Sequence, residues 1–256
     1  LTALKAAIQE AEGKNESDYT ASSWKTFAKA LEEAKAAAAD NTVTQEAADL
    51  ARTNLLKAAN ALVKKGEKPE YDNIAPEAKA DGICDYTNDL GGLATLNDGY
   101  EPTESHDTSH GAWHNWNNRY ENGVAKNAWV SYTWDKPVEI NSMDIYYFSD
   151  HGGIVAPKSA SFEYLNDAGE WVVADEAQGL ACVEDEYNTV KLANIKTKAI
   201  RMTMEPEFMN DGDPAHGVGV IEWKVYGKYA EDKPETVDKT ALDAVIREAE
   251  SRAEKD

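Results

Sequence analysis

The chain has 256 residues and a formal net charge of −21, with 26 Lys and Arg against 47 Asp and Glu. That balance excludes nucleic acid or an anionic lipid surface as a natural partner, because both are held mainly by Lys and Arg, whereas a neutral ligand is not disfavoured. No apolar run approaches the roughly 18 residues needed to cross a bilayer, so no membrane insertion is expected.

The chain opens inside a helical pattern without Met, as an internal piece of something longer would. Leu4, Ala7, Ile8 and Ala11 recur at the spacing of one helix face. Trp24, Phe27, Leu31 and Ala34 repeat the pattern, and Leu50, Leu55, Ala58 and Leu62 carry it again. Thr20 and Thr44 stand where a hydroxyl can accept from the orphan N–H groups of the second and third helices. Gly13–Asp18 and Asp40–Val43 are the connections, and the run Ala36–Ala39 has high helix propensity. These segments predict an antiparallel three-helix bundle over residues 1–65, with Glu32, Glu33, Lys35, Glu46 and Lys57 on a solvated outside. The stretch Tyr19-Thr20-Ala21-Ser22-Ser23-Trp24-Lys25-Thr26-Phe27, continued through Leu31 and Ala34, resembles the signature of the FIVAR module ("found in various architectures"). That resemblance covers about residues 1–65 and implies a non-catalytic spacer of bacterial surface proteins and secreted glycoside hydrolases.

Residues 66–75, with Gly66 and Pro69, and residues 229–237 read as linkers. Beyond the second, Thr240–Glu250 repeats Thr2–Glu12, so residues 238–256 are expected to be the first helix of a second, truncated bundle. Without partners for its apolar stripe that helix frays or docks opportunistically.

Between the linkers, residues 76–228 change period. Trp129–Trp134 and Met143–Phe148 alternate on a two-residue repeat around Asp135-Lys136-Pro137, which reads as two half-buried strands and a turn. Ser161–Tyr164 and Glu170–Val173 flank the hairpin signal Asn166-Asp167-Ala168-Gly169. Asn188–Leu192, Ile200–Met204 and Ile221–Tyr226 follow, predicting an antiparallel β-sandwich of about eight strands. The segments Leu96-Asn97-Asp98-Gly99, Trp113-His114-Asn115-Trp116, Trp129–Trp134, Met143–Phe148 and Ile221–Gly227 resemble, in order and spacing, the galactose-binding-like jelly roll. Discoidin (F5/8 type C) domains and family 32 carbohydrate-binding modules share that fold, and Asp150-His151-Gly152-Gly153-Ile154 with Pro157 is similar to versions attached to bacterial glycoside hydrolases. The resemblance implies a glycan partner, galactose-type or another neutral sugar. It also implies a monomeric module serving the catalytic domain of a secreted or cell-wall-anchored bacterial enzyme.

Sugar recognition needs an aromatic face for pyranose C–H bonds and a few planar polar groups in a concavity. Trp113, His114, Trp116 and Asn117 lie in one loop, Asp150 and His151 in a second, and Asn210, Asp211 and His216 in a third. Trp113 and Trp116 read equally well as core or as sugar platforms, while Trp129, Trp134, Trp171 and Trp223 fall in strands and read as core. Asp98 and Glu101 put hard oxygen ligands on a turn suited to Ca2+, or else form an Asx turn. The resemblance adds Glu222 from the last strand as a third ligand of a structural calcium. His106, His110 and His114 recur every fourth residue, but Asp107, Ser109 and Gly111 oppose the helix that would align them for zinc or nickel. Cys84 and Cys182 are two buried thiols or a bridge, and no zinc spacing accompanies them. Asp211 and Asp213 are too close in sequence to face each other across a glycosidic bond. No nucleophile elbow, phosphate loop or HExxH motif occurs, so no enzyme activity is expected within the chain.

Overall fold

The computed structural model describes residues 1–83, 92–209 and 214–230. Cys84, Asn210, Asp211, Asp213 and the expected helix over 238–256 lie outside the described residues. No helix among the described residues is long and apolar enough to cross a membrane.

Three helices come first: α1 (Thr2–Glu12), α2 (Ala21–Ala39) and α3 (Gln45–Asn60). Leu4, Phe27, Ala34 and Leu55 are almost fully buried where the three stripes meet. Thr44 caps α3 as expected, its side chain accepting from the Ala47 N–H at 3.1 Å. Thr20 does not cap α2; its hydroxyl pairs with Ser23 Oγ at 2.9 Å instead. Leu50 is also misassigned by periodicity, since it is 60% exposed and Ala48 takes the buried position.

Eleven strands follow among the described residues, more than the eight expected because several are only two residues long. They are β1 (Lys79–Gly82), β2 (Trp113–His114), β3 (Tyr120–Glu121), β4 (Val124–Ala125), β5 (Ala128–Phe148) and β6 (Ile154–Val155). After them come β7 (Ser159–Leu165), β8 (Trp171–Val173), β9 (Leu180–Ala181), β10 (Asn188–Glu205) and β11 (Gly217–Tyr229). The expected turn at Asp135-Lys136-Pro137 is not one. β5 runs through it without reversing, and pairing with β10 resumes from Thr133↔Ala199 to Val138↔Thr197. β5 and β10 are long, bulged strands that leave one layer at this corner and enter the other.

The first layer joins β1, the first half of β5, the second half of β10, and β7 with β8 and β9. The second joins β2 and β11 to the second half of β5 and the first half of β10, with β6 alongside β11. Val130, Tyr132, Trp134, Phe162 and Met202 from one layer meet Ile140, Met143, Ile145, Tyr147 and Trp223 from the other in a single core. Tyr132 stacks on Trp223 at 4.2 Å between centroids, and its hydroxyl donates to the Leu96 and Trp223 carbonyls. Trp134 and Trp223 are core, as expected of strand tryptophans, whereas Trp129 is only half-buried outside the core and Trp171 stands 38% exposed at the sheet edge.

The helices are bonded to the sandwich directly. The Ser22 amide donates to Glu186, Lys25 to the Cys182 carbonyl, and the Ala181 amide to Thr26 Oγ1. Lys191 reaches the Leu62 carbonyl and pairs with Glu67 at 2.7 Å, so the stretch after α3 is also tied down. Cys182 lies beneath this contact as a free buried thiol, its pKa pushed up to about 12 by burial.

Candidate functional site

The outer face of the second layer carries apolar residues of its own. Tyr146 and Phe148 of β5 and Ile221 of β11 are buried outside the main core, together with Ala112 and Ile154. Tyr100, Trp116 and Tyr187 pack on them from the covering loops. This small second core explains why the alternation of Met143–Phe148 gives no exposed face. The loops it supports are the ones that carry the candidate site.

Trp116 is their junction. The Arg119 guanidinium lies 3.6 Å from its ring centroid and donates to the Trp116 carbonyl at 2.6 Å. Gly153 faces the benzo ring so closely that a Cβ there would fall 2.5 Å from Cζ3. Gly217 meets the Trp116 backbone, and its amide donates to the Gly153 carbonyl at 2.8 Å. Loops 115–119, 149–154 and 214–217 are thereby held at one edge of the sandwich. Arg119 Nε and His216 Nδ1 are buried there without a hydrogen-bond partner among the described residues. Such polar groups cost free energy unless a ligand or water satisfies them.

The expected sugar contacts divide accordingly. Trp113 is fully buried in the main core, its indole N–H donating to the Ile83 carbonyl, and it offers no face to a sugar. His114 is buried beside it and its Nδ1 accepts from the Trp116 amide at 3.3 Å. Trp116 is at the site, but as the wedge between Arg119 and Gly153 rather than an open platform. Asn117, Asp150 and His151 are exposed, and Asp150 Oδ1 shapes its loop by accepting from the Gly152 and Ile154 amides. His151 adopts φ 55° and stacks on His106 at 4.5 Å. His216 is half-buried on the inner side. Sequence reasoning passed over Arg119, although an Arg three residues after a loop Trp is a signal for a cation–π pair.

The turn expected to hold calcium lies over β11. Glu222 is fully buried, and among the described residues only the Gly99 amide faces its carboxylate, without full hydrogen-bond geometry. Burial, reinforced by the negative charge of Asp98, pushes its pKa up to about 8. Asp98 accepts from the Tyr100 amide and faces His110 Nε2 at 3.1 Å. Glu101, by contrast, is taken by Lys224 and by the Tyr187 hydroxyl, so it does not join the set. Among the described residues no three His, Cys, Asp or Glu side chains converge as a metal-binding group. The three histidines do not align either: His106 stacks on His151 and His110 on Tyr100.

No family model matches the chain. Among curated proteins, the polysaccharide lyase 8 family protein HylA of Enterococcus faecalis is 47% identical over 62 residues, which is 24% of this chain and 4% of that protein. Solved structures similar to the chain include the family 32 carbohydrate-binding module of Clostridium perfringens NanJ, seen in complex with galactose. It shows 18% identity, a TM-score of 0.45, and coverage of 60% of this chain and 97% of that one. The family 32 module of Streptococcus pneumoniae EndoD shows 19% identity, a TM-score of 0.42, and coverage of 61% and 100%.

Proposed function

We propose that the chain is a non-catalytic carbohydrate-binding module on a helical spacer, part of a secreted or cell-wall-anchored bacterial glycan-degrading enzyme, in the first instance a glycoside hydrolase. The observation that carries this reading is the loop edge where Arg119 Nε and His216 Nδ1 are buried without partners among the described residues, on the same loops as exposed Asn117, Asp150 and His151. A small neutral polyol satisfies such groups without bringing charge to a chain of net charge −21. The likeness of 62 residues to a polysaccharide lyase supports attachment to an enzyme of glycan breakdown. Binding tethers that enzyme, raising its effective concentration at a glycan surface.

A structural calcium belongs to this proposal. A buried carboxylate with no side-chain partner among the described residues, beside Asp98, has the donor chemistry of a hard-cation site. Glu222, Asp98 and backbone carbonyls of the 96–101 turn would hold the ion, which would neutralise the carboxylates and fix the turn over β11.

The test is a titration of the whole chain with a panel of neutral sugars, galactose among them, with calcium present. Binding that falls at least ~10-fold in His216→Ala and Asn117→Ala, with unchanged melting temperature, supports the module. A second reading is a purely structural spacer packing on a catalytic domain, and the burial of Trp113 and the covering of Trp116 by Arg119 favour it. A blank panel with folded protein selects that second reading.

A further inference from the structure

The two outer faces of the sandwich differ. The second layer is roofed by loops, but the first layer presents a half-buried polar sheet face across β8, β7 and β10, which closes over at the buried Ser131 of β5. Register places Val173, Glu163, Arg201 and Ser131 in one row across these strands. The next row contains Ser161, Thr203 and Trp129. A cavity of about 260 Å³ lies over these rows, lined by Asn127, Ser161, Glu163, Val173, Gln178 and Thr203 among others. Val173 lines it and is 47% exposed, and on the same edge strand Trp171, 38% exposed, stands one row further along, opposite Leu165.

The geometry points to a second glycan-binding site on this face, taking a neutral, linear oligosaccharide. Its charges are matched in pairs: Glu163 accepts from Arg201 at 2.7 and 3.0 Å, and Glu205 pairs with Lys158 at 2.7 Å. A face balanced in this way offers nothing to an anionic chain and nothing to a basic peptide. Arg201 lies 4.5 Å from the Trp171 ring centroid, which orients the indole against the sheet and keeps it rigid. Rigid aromatic surface beside planar amide, carboxylate and hydroxyl groups is what sugar rings require. Four strands span roughly 14 Å, enough for several linked rings where the loop edge takes an end or a single sugar. Gln178 spends its amide N–H groups on the Phe162, Ala174 and Ala177 carbonyls, so its side chain is fixed before a ligand arrives. The two faces are separate, so this site stands or falls independently of the loop edge.

Linear neutral hexasaccharides of glucose, galactose, mannose and xylose are titrated into the whole chain, with a sulfated hexasaccharide as the charged control. The expected result is binding of at least one neutral hexasaccharide that weakens roughly 10-fold or more in Trp171→Ala and recovers in Trp171→Phe. The same binding persists in His216→Ala, which reports the loop edge alone. Trp171 is at the surface, so an unchanged melting temperature shows that the variant folds. Absence of binding to every neutral hexasaccharide, equal affinity in Trp171→Ala, or preference for the sulfated control overturns the assignment.

Discussion

Substitution of Gly153 by Ala tests whether Trp116 really locks the site. The added Cβ would stand 2.5 Å from Cζ3, 2.6 Å from Cη2 and 3.2 Å from Cε3 of that ring. Gly153 is not in the left-handed region, so the cost is steric alone. Overpacking of this kind costs about 1–3 kcal/mol. In a protein of this size that corresponds to a fall in Tm on the order of 5 °C. The ring must shift by on the order of 1 Å to regain van der Waals distance, and Arg119 rides on its other side. Glycan affinity at the loop edge should therefore fall together with Tm. Gly152→Ala is the built-in control, because its Cβ meets only ordinary contacts, the nearest being Asp150 Oδ1 at 3.5 Å. Differential scanning fluorimetry and sugar titration of the two variants suffice. Equal Tm and equal affinity for both would refute the packing of Trp116 against loop 149–154.

Other expectations follow from particular contacts. Chelation should lower Tm and calcium restore it in the native chain, whereas Glu222→Gln should abolish that response while rising in stability under chelator; calorimetry with and without calcium decides it. Cys182 should resist a thiol reagent at pH 8 in a Cys84→Ser background and react fully in denaturant, because burial raises its pKa to about 12. Rapid labelling of the native protein would contradict its burial. The hydrogen bond from Lys191 holds the Glu67 pKa below its ordinary value, so this pair contributes stability above about pH 4.5 that is lost as pH falls through the lowered pKa. Both side chains are partly exposed, so the contribution is below about 1 kcal/mol, and the Tm gap between native protein and Lys191→Met should narrow as pH falls from neutral into the acid range, leaving the part due to the Leu62 carbonyl bond.

The helical period, the two-residue alternation and the turn signals were enough to mark a bundle and a sandwich, because both patterns follow from which side chains must leave water. Thr44 could be recognised as a cap since capping is local, and Glu222 stood out because the resemblance placed a carboxylate on a strand otherwise apolar. What depends on distant segments was not visible in the chain. Trp113 and Trp116 are three positions apart in sequence, yet one enters the main core from β2 and the other wedges against Gly153 and Arg119. The continuity of β5 through Pro137 needed its partner β10, whose bulges carry both strands around the corner. Glu101 carried the right oxygen atoms for calcium, but Lys224, 123 residues away, claims it. Composition and periodicity determine which residues are buried in bulk; only the tertiary structure decides which partner a polar or aromatic side chain meets, because those partners are neighbours in space and not in sequence.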